Sequence, residues 1–487
     1  MKAILKTITA SLALLAICSG MQAKVKLPSI ISDNMVLQQK TDAAIWGTAE
    51  PGRKVTVKTS WNKAKTVTTA DSETGRWLVR VATPQAGGPY EITISDGDKL
   101  TIGNVLIGEV WFASGQSNME MPVKGYGSQP ARGGAKTILS AKRSRPIRIC
   151  NVKKQSSTSV KDSCACSWGE NTPDVVAATS ATAYYFADAL QNVLDVPVGI
   201  IVSSWGGSTI ETWIKREVFE QQFPSVELGH LDGLKPIKRK HHDPCLLYNG
   251  QVAPLIPFTF KGMIWYQGEA NRPHPELYAA YQKAYVEMMR KDFCVPDAPF
   301  YFTQIAPYPY DNGRKTHSGY FCEAQAASLK IIPHSGMATT ADIGEYGTIH
   351  PCRKQEVGER LAMLALKHDY GFEAIEADAP SYRNAEIKEG KVYLHFTVDR
   401  MGLSPMGTEL SGFEIAGADR RFVPAKAMRD PKRGDTVVVS SDAVPEPVAV
   451  RYCFRNWTVG SLYNNFGVPA GPFRTDDWPV NPADWEN

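Results

Sequence analysis

The residues with the clearest chemical potential lie at the end of a long apolar run. The run from Val105 to Phe112 leads into residues 115–118, which read Gly-Gln-Ser-Asn. A serine at the point where a strand turns into the next element can hold its hydroxyl oxygen beside free backbone N–H groups. The spacing therefore suits attack on a carbonyl carbon, with Ser117 as the nucleophile. A serine in a polar turn is also a common helix cap, so this motif alone leaves both interpretations open.

A proton acceptor for such a serine has to come from the nine histidines of the chain. His350 follows an apolar segment at 336–341 and immediately precedes Pro351 and an amphipathic segment. Proline favours the first turn of a helix, so this pattern predicts that His350 lies at a rigid junction. A serine and a histidine that takes its proton are the working parts of acyl transfer. A capping or surface histidine is the alternative.

The apolar pattern between residues 105 and 372 predicts the element that would bring these two residues together. Short strand-like runs alternate there with helical periods, and the runs lie at 198–203, 262–266, 299–305 and 336–341. Such alternation predicts an α/β fold, in which helices cover both faces of a parallel sheet. Chemistry in these folds lies beyond the carboxyl ends of the strands, where Ser117 and His350 both fall.

The flanking regions have a different pattern, with apolar and polar residues in alternation. Residues 24–104 carry such runs between turns rich in Gly and Pro, which predicts a small N-terminal β-sandwich-like domain. The same pattern returns in the C-terminal β region, 373–487. The chain of 487 residues is long enough for these parts.

Residues 1–23 have the composition of a secretory signal peptide. Lys2 and Lys6 precede an apolar stretch that is short for a membrane span, and small or polar residues lead to Ala23. We therefore expect an exported protein, periplasmic or secreted, without a stable membrane span. Removal of the segment would lower the formal charge from +4 to +2. So small a charge, without a basic and aromatic patch, argues against nucleic acid as a partner.

The remaining cysteines and histidines do not have the spacing of a metal site. Neither a Cys-x-x-Cys nor a His-x-x-x-His pair occurs, so we expect neither a metal nor another cofactor. An exported compartment allows disulfides, and Cys164 and Cys166 could each have a partner elsewhere in the chain. The pairing cannot be derived from spacing.

Three motifs together resemble the SGNH hydrolases, and within them the sialate O-acetylesterases and related carbohydrate acetylesterases. The motifs are residues 115–118, the strand-then-glycine unit that ends in Trp205-Gly206-Gly207, and Ile349-His350-Pro351 before a helix. The resemblance implies an SGNH-like three-layer sandwich with a central parallel sheet, flanked here by N- and C-terminal β regions. It makes 105–372 the SGNH α/β hydrolase domain.

The resemblance also implies roles for individual residues. Ser117 and His350 would be the nucleophile and the base, and the oxyanion would be held by the N–H groups of Ser117 and Gly207 with the side-chain amides of Gln267 and Asn271.

The third member of the catalytic set is less well defined by the resemblance. Many SGNH enzymes carry an aspartate three residues before the histidine, and Gly347 stands at that position here. Asp342 is the first candidate for the acid and Glu345 the second. A Ser–His dyad whose ring is oriented by a backbone carbonyl is the remaining alternative.

The expected activity is that of a secreted serine esterase that hydrolyses O-acetyl esters of carbohydrates through an acetyl-serine intermediate. O-acetylated sialic acid is the favoured substrate, and acetyl xylan is the alternative. A non-catalytic carbohydrate-binding protein is the alternative from another class, because 11 Trp and 19 Tyr could stack on sugar rings.

Overall fold

The computed structural model describes residues 25–313 and 315–480, except for the side chain at position 312. The predicted signal peptide, 1–23, lies outside the described residues, and export stays a prediction. Across the described ranges, every helix is too short or too polar to cross a bilayer.

The N-terminal region consists of strands in which buried apolar residues alternate with exposed polar ones. Val55 and Val57 are buried, as are Trp77, Val79 and Val81. A two-residue period of this kind buries one face of a sheet. The strands are β1 (Val36–Gln38), β2 (Asp42–Thr48), β3 (Lys54–Thr59), β4 (Lys65–Thr69), β5 (Arg76–Ala82), β6 (Gly87–Ser95) and β7 (Lys99–Gly115).

Strand β7 joins the N-terminal region to the centre of the molecule. Its first half pairs antiparallel with β6, and its second half pairs parallel with strands of the central sheet. The predicted boundary between 24–104 and 105–372 therefore falls inside a single continuous strand.

The central region alternates strands and helices, as its apolar pattern predicts. Its strands are β8 (Ile147–Asn151), β9 (Trp168–Glu170), β10 (Val198–Ser204), β11 (Gly262–Tyr266), β12 (Phe300–Thr303) and β13 (Ser335–Ala338). Its helices are α1 (Ser117–Glu120), α2 (Gly134–Ser140), α3 (Pro173–Ala178), α4 (Ala181–Leu194), α5 (Arg216–Gln222), α6 (Tyr278–Asp292), α7 (His317–Ile331) and α8 (Lys354–Tyr370).

The central sheet has the strand order β13-β12-β11-β7-β10-β8-β9. Neighbouring strands from β13 to β8 are parallel. Strand β9 pairs antiparallel with β8 at one edge. The sheet is therefore mixed, and the expectation of a purely parallel sheet was wrong at this edge. An antiparallel edge strand on a parallel sheet is common in α/β folds.

Helices cover both faces of this sheet. On one face Trp111 packs edge-on against Phe186 of α4, with ring centroids 4.9 Å apart, and α8 packs beside α4 in the same core. On the other face Trp265 packs against Tyr285 of α6 at 4.7 Å, and α7 lies beside α6. The centre of the molecule is therefore a three-layer α/β arrangement.

The C-terminal region is again made of β-strands, with a core of its own. Its strands are β14 (Ser381–Lys388), β15 (Lys391–Thr397), β16 (Leu403–Ser404), β17 (Phe413–Ala416), β18 (Val423–Pro424), β19 (Lys426–Arg429), β20 (Thr436–Ser440), β21 (Ala449–Tyr452), β22 (Tyr463–Asn464) and β23 (Phe473–Arg474). Arg474 forms an ion pair with Glu323 of α7, and Asn456 accepts a hydrogen bond from the N–H of Ser318. These contacts seat the region against the central domain.

The eight cysteines of the described ranges are free thiols. The thiol of Cys166 lies within hydrogen-bonding contact of both Cys150 and Cys164. The described ranges also hold no group of three His, Cys, Asp or Glu side chains placed to bind a metal ion.

Candidate active site

Three strand ends meet at Ser117, which is the first residue of α1. Gly115 ends β7 with a φ of +140°, and a Cβ at that position would lie 2.1 Å from the carbonyl oxygen of Tyr266. The N–H of Gln116 donates to that same carbonyl over 2.9 Å, and the N–H of Trp205 donates to the carbonyl of Gly115 over 3.1 Å. Only glycine permits this close approach, which positions Ser117 above the carboxyl edge of the sheet.

The glycine pair after β10 lies directly beside Ser117. A Cβ on Gly206 would be 3.4 Å from the Cβ of Ser117. The N–H of Gly206 donates to the carboxylate of Glu120, so of the two glycines Gly207 is the one whose N–H is not used in this way. Gly207 has a φ of +73°, a left-handed conformation that favours glycine.

Two side chains, those of Tyr126 and Asn118, connect the Ser117 segment with the His350 segment. The hydroxyl of Tyr126 donates to the carbonyl of Ser117 over 3.2 Å, and its ring packs edge-on against the imidazole of His350 with centroids 5.3 Å apart. The side-chain amide of Asn118 donates to the carbonyl of Ile349 over 3.1 Å. Residues that are 233 positions apart in the sequence are therefore brought to one place.

The imidazole of His350 is oriented by an amide. Its Nδ1 lies 2.7 Å from Oε1 of Gln129, and because an amide oxygen only accepts, Nδ1 carries the proton and Nε2 keeps its lone pair. Burial, with a contribution from the charge of Lys354, lowers the pKa of His350 to about 4. The ring is therefore neutral near pH 7 and able to accept a proton.

The sequence analysis did not find Gln129. It lies in the loop after α1, where the chain has no strand or helix period to indicate which side chains point toward the site.

The acid expected from the sequence does not reach His350. The carboxylate of Asp342 forms two hydrogen bonds with Arg360, over 2.8 and 2.7 Å, and lies 3.6 Å from Arg353. Glu345, the second candidate, accepts a hydrogen bond of 2.5 Å from the N–H of Cys352. In this geometry each carboxylate is engaged elsewhere, and the identity of the acid stays a prediction.

The side-chain amide of Gln267 is fully engaged inside the protein. Its two N–H groups donate to the carbonyl of Ser208 over 3.0 Å and to Oδ1 of Asn271 over 2.7 Å, and its oxygen accepts from Tyr278 over 2.8 Å. An amide has two N–H groups, so Gln267 has none left for an oxyanion in this geometry.

Asn271 has a similar role. Its Oδ1 also accepts from the N–H of Ile210 over 2.9 Å, and its Nδ2 donates to Glu211 over 2.9 Å. The two amides fix the segment after Gly207 to the end of β11.

A basic and aromatic rim borders the glycine pair. The loop 235–243 folds onto this rim through a hydrogen bond of 3.1 Å from the N–H of Thr209 to the carbonyl of His241. The ring of His241 stacks on Trp205, with centroids 6.3 Å and planes 16° apart. The ammonium of Lys154 lies 5.6 Å from the centre of the Trp205 ring.

Comparisons with known proteins identify the family that the chain resembles. Residues 107–367 match the family model of a carbohydrate esterase described as a sialic acid-specific acetylesterase. The chain is 28% identical to sialate O-acetylesterase of Pongo abelii and 27% identical to that of Homo sapiens, over 92% of each chain. It is also similar to the crystal structure of a carbohydrate acetylesterase from Xanthomonas citri, with a TM-score of 0.82 and 34% identity over 93% of this chain and 100% of that one.

The resemblance to the sialate O-acetylesterases is therefore confirmed. The chain belongs to the family of sialic acid-specific acetylesterases among the carbohydrate esterases, and it is a carboxylic ester hydrolase.

Proposed function

We propose that this protein is an exported serine esterase of the SGNH type that removes O-acetyl groups from carbohydrates. The observation that carries the proposal is the meeting of the Ser117 and His350 segments through Tyr126 and Asn118. It supports a nucleophile and a neutral base at one edge of the sheet, beside the N–H groups that would hold an oxyanion. The carbohydrate-binding alternative does not account for an ester hydrolase family.

The reaction begins when the Ser117 oxygen attacks the acetyl carbonyl carbon and its proton passes to Nε2 of His350. The negative charge on the carbonyl oxygen is held by the N–H groups of Ser117 and Gly207. The C–O bond to the sugar then breaks, and the sugar oxygen takes the proton from His350. Water attacks the acetyl-serine with His350 again as the base, which releases acetate and restores the Ser117 hydroxyl.

Gln129 takes the place that an acid has in a Ser-His-Asp triad. It fixes the tautomer of His350 through Nδ1, but it supplies no negative charge to stabilise the imidazolium that forms during attack. Burial of the ring, with a contribution from the charge of Lys354, keeps the base unprotonated down to mildly acidic pH.

Gln267 and Asn271 act on the oxyanion site indirectly in this mechanism. Gln267 would have to break an internal hydrogen bond to donate to the substrate, and one N–H of Asn271 is bound to Glu211. Their bonds to Ser208, Ile210 and Glu211 instead hold the segment that follows Gly207 in position.

The favoured substrate is an O-acetylated sialic acid, and acetylated xylan is the alternative. The names of the relatives support the first, and so does the charge of the rim. Loop 235–243 carries lysine, arginine and histidine, and its His241 lies beside Trp205 and Gly207, where the ammonium of Lys154 also lies over the Trp205 ring. Cations attract a sugar that carries a carboxylate more strongly than a neutral polysaccharide, and an aromatic ring can pack on either.

The test is a side-by-side assay of the purified protein on O-acetylated sialic acid and on acetylated xylan, with released acetate as the readout. We expect kcat/KM to be higher on the sialic acid. A phosphonate or sulfonyl fluoride probe should form one adduct, on the peptide that contains Ser117. A faster reaction on xylan would reverse the substrate assignment, and an adduct elsewhere would remove Ser117 as the nucleophile.

The domain organisation that we propose keeps the ranges 24–104, 105–372 and 373–487 but makes them interdependent. Because β7 belongs to two sheets, a fragment of residues 105–372 loses part of the strand that carries Ser117. We expect it to be insoluble or inactive when expressed alone. An active, folded fragment would show that the central domain is independent.

Export is proposed from residues 1–23. Mass spectrometry of protein recovered from the periplasm or the medium should give a chain that begins near Lys24. Recovery of the exported protein with residues 1–23 still attached would contradict cleavage at this point.

A further inference from the structure

A buried amide connects the nucleophile, the base and the end of β11. Asn118, which follows Ser117, is fully buried. One hydrogen of its Nδ2 goes to the carbonyl of Ile349, the residue before His350, over 3.1 Å. The other goes to Oε1 of Glu269 over 2.5 Å. Its Oδ1 accepts from the ammonium of Lys354, so every polar atom of the side chain is used.

The two charged partners of this amide are themselves buried. Lys354 is 1% exposed and Glu269 is 8% exposed. Burial lowers the pKa of Lys354 to about 7 and raises the pKa of Glu269 above its ordinary value. Buried charges are costly unless they are paired and hydrogen-bonded, and here the opposite charges are joined through Asn118.

The electrostatic surroundings of the cluster are defined by a few groups. Lys354 is faced by the carboxyl groups of Glu269 and Glu345 and by the thiol of Cys352. Among charged groups, Lys354 is the one that acts on His350. The ammonium therefore opposes a positive charge on the imidazole.

We propose that Asn118, Glu269 and Lys354 are positioning residues, which hold the Ser117 segment against the His350 segment and fix the buried ammonium of Lys354 beside that segment. The proposal rests on the proposed function, because it assigns roles toward the base and the nucleophile of that mechanism. None of the three side chains takes part in bond making. They act through the carbonyl of Ile349, the backbone of Ser117 and the electric field at the imidazole.

The first test is the pH dependence of kcat/KM of Lys354→Met on a chromogenic acetate ester. We expect kcat to fall about tenfold, because a small displacement of a reacting group is enough for such a loss, with KM changed less than about threefold. The acidic limb of the profile should move to higher pH by about 0.5 unit or more, since a like charge no longer opposes protonation of His350.

Lys367→Met is the matched control. It removes a lysine from the same helix, α8, where that lysine pairs with Glu376 away from the site. Its acidic limb should coincide with that of the wild-type protein. A loss of kcat in Lys354→Met without any movement of the limb would reduce Lys354 to a structural residue and overturn the electrostatic part of the proposal.

Lys354→Met leaves the charge of Glu269 buried without a counter-charge, so it could fail to fold. The double variant Glu269→Gln with Lys354→Met keeps an acceptor for Asn118 and leaves neither buried charge, which is tolerated better than half a pair. It should fold and show the same upward movement of the limb. Wild-type turnover together with a wild-type limb in this variant would overturn the whole proposal.

Glu269→Gln alone tests whether the charge of Glu269 acts on the base. The glutamine oxygen can still accept from Asn118, so the variant should fold. Because the pKa of Glu269 is raised above its ordinary value, its carboxyl group is already largely protonated at the pH of the limb, so the limb should stay close to that of the wild type, and an upward movement would contradict the electrostatic role of Lys354. The variant Ser117→Ala distinguishes a failure of the cluster proposal from a failure of the proposed function. If that variant is inactive and the cluster variants behave like the wild type, the cluster proposal alone fails. An active Ser117→Ala removes the proposed function.

Discussion

Two segments approach His350 from different directions, and they differ in what they offer to its ring. The segment 342–353 is adjacent in sequence and carries two acids, yet Asp342 is bound by Arg360 and Glu345 by the N–H of Cys352. The loop after α1 is more than 200 residues away in sequence and offers the amide of Gln129 at 2.7 Å from Nδ1.

A carboxylate near a histidine can orient the imidazole ring only if no cationic side chain binds that carboxylate more strongly. The guanidinium of Arg360 forms two parallel hydrogen bonds with Asp342, a geometry that one imidazole nitrogen cannot match. A neutral amide does not form an ion pair with a cationic side chain, so its oxygen stays free to accept a hydrogen bond from the imidazole ring. Asp342 is therefore held in an ion pair with Arg360, whereas the amide of Gln129 contacts the imidazole.

The largest effect on turnover is expected when Ser117 or His350 is replaced. Ser117→Ala and His350→Ala should each lower kcat on a chromogenic acetate ester by about four orders of magnitude or more, because they make and break bonds. Ser140→Ala, on the exposed helix α2, is the control and should keep wild-type turnover. If Ser117→Ala instead kept a burst and a turnover close to those of Ser140→Ala, neither segment would be part of a catalytic site.

The next largest effect on turnover is expected for the side-chain amide of Gln129. Gln129→Ala should lower kcat about 10- to 100-fold, because the ring of His350 loses the bond that fixes its tautomer. Gln355→Ala, on the exposed side of α8, is a control in which a different glutamine is lost. If Gln129→Ala is indistinguishable from Gln355→Ala, the orienting group lies elsewhere.

A negative charge at position 129 tests directly whether this residue contacts the base. Gln129→Glu creates the carboxylate that the segment 342–353 does not supply. In the wild-type protein, the acidic limb of kcat/KM should lie near pH 4, since the base must be unprotonated and the pKa of His350 is lowered to about 4. A neighbouring carboxylate favours the charged ring, so Gln129→Glu should move the limb upward by about 1 unit or more. A limb that stays in place would mean that residue 129 does not contact the base.

The sequence predicted the parts of the site that depend on local pattern. Ser117 follows an apolar run into a turn, and His350 precedes a proline at a helix start, so both could be placed at the carboxyl edge of a sheet from spacing alone. The antiparallel strand β9 is three residues long and carries no period from which its direction could be derived.

The partners of these residues depend on tertiary contacts, which spacing does not contain. Asp342 has the right residue type, but Arg360 of α8 binds it. Gln267 lies at a strand end as predicted, although its hydrogen bonds are directed inward. Residue types at strand ends were predictable, whereas the direction of each side chain was not.

The smallest expected effect on turnover, and the one that separates the two segments most clearly, is that of Asp342→Asn. Asp342 and Arg360 are both buried, and removal of one partner leaves the other charge unpaired, which costs about 3 to 5 kcal/mol of unfolding free energy. The variant should therefore lose stability in chemical denaturation, while the folded fraction turns over within about threefold of the wild type.

Asp188→Asn is the control for this change, because Asp188 pairs with Arg145 in a more exposed setting, where such a pair contributes about 1 kcal/mol or less. Replacement of both partners, Asp342→Leu with Arg360→Met, should recover part of the stability because neither charge stays buried. If Asp342→Asn instead kept wild-type stability and lost turnover a hundredfold, Asp342 would be the acid that the resemblance implied. The carboxylate would then have to leave Arg360 when substrate binds, and the contrast with Gln129 would no longer hold.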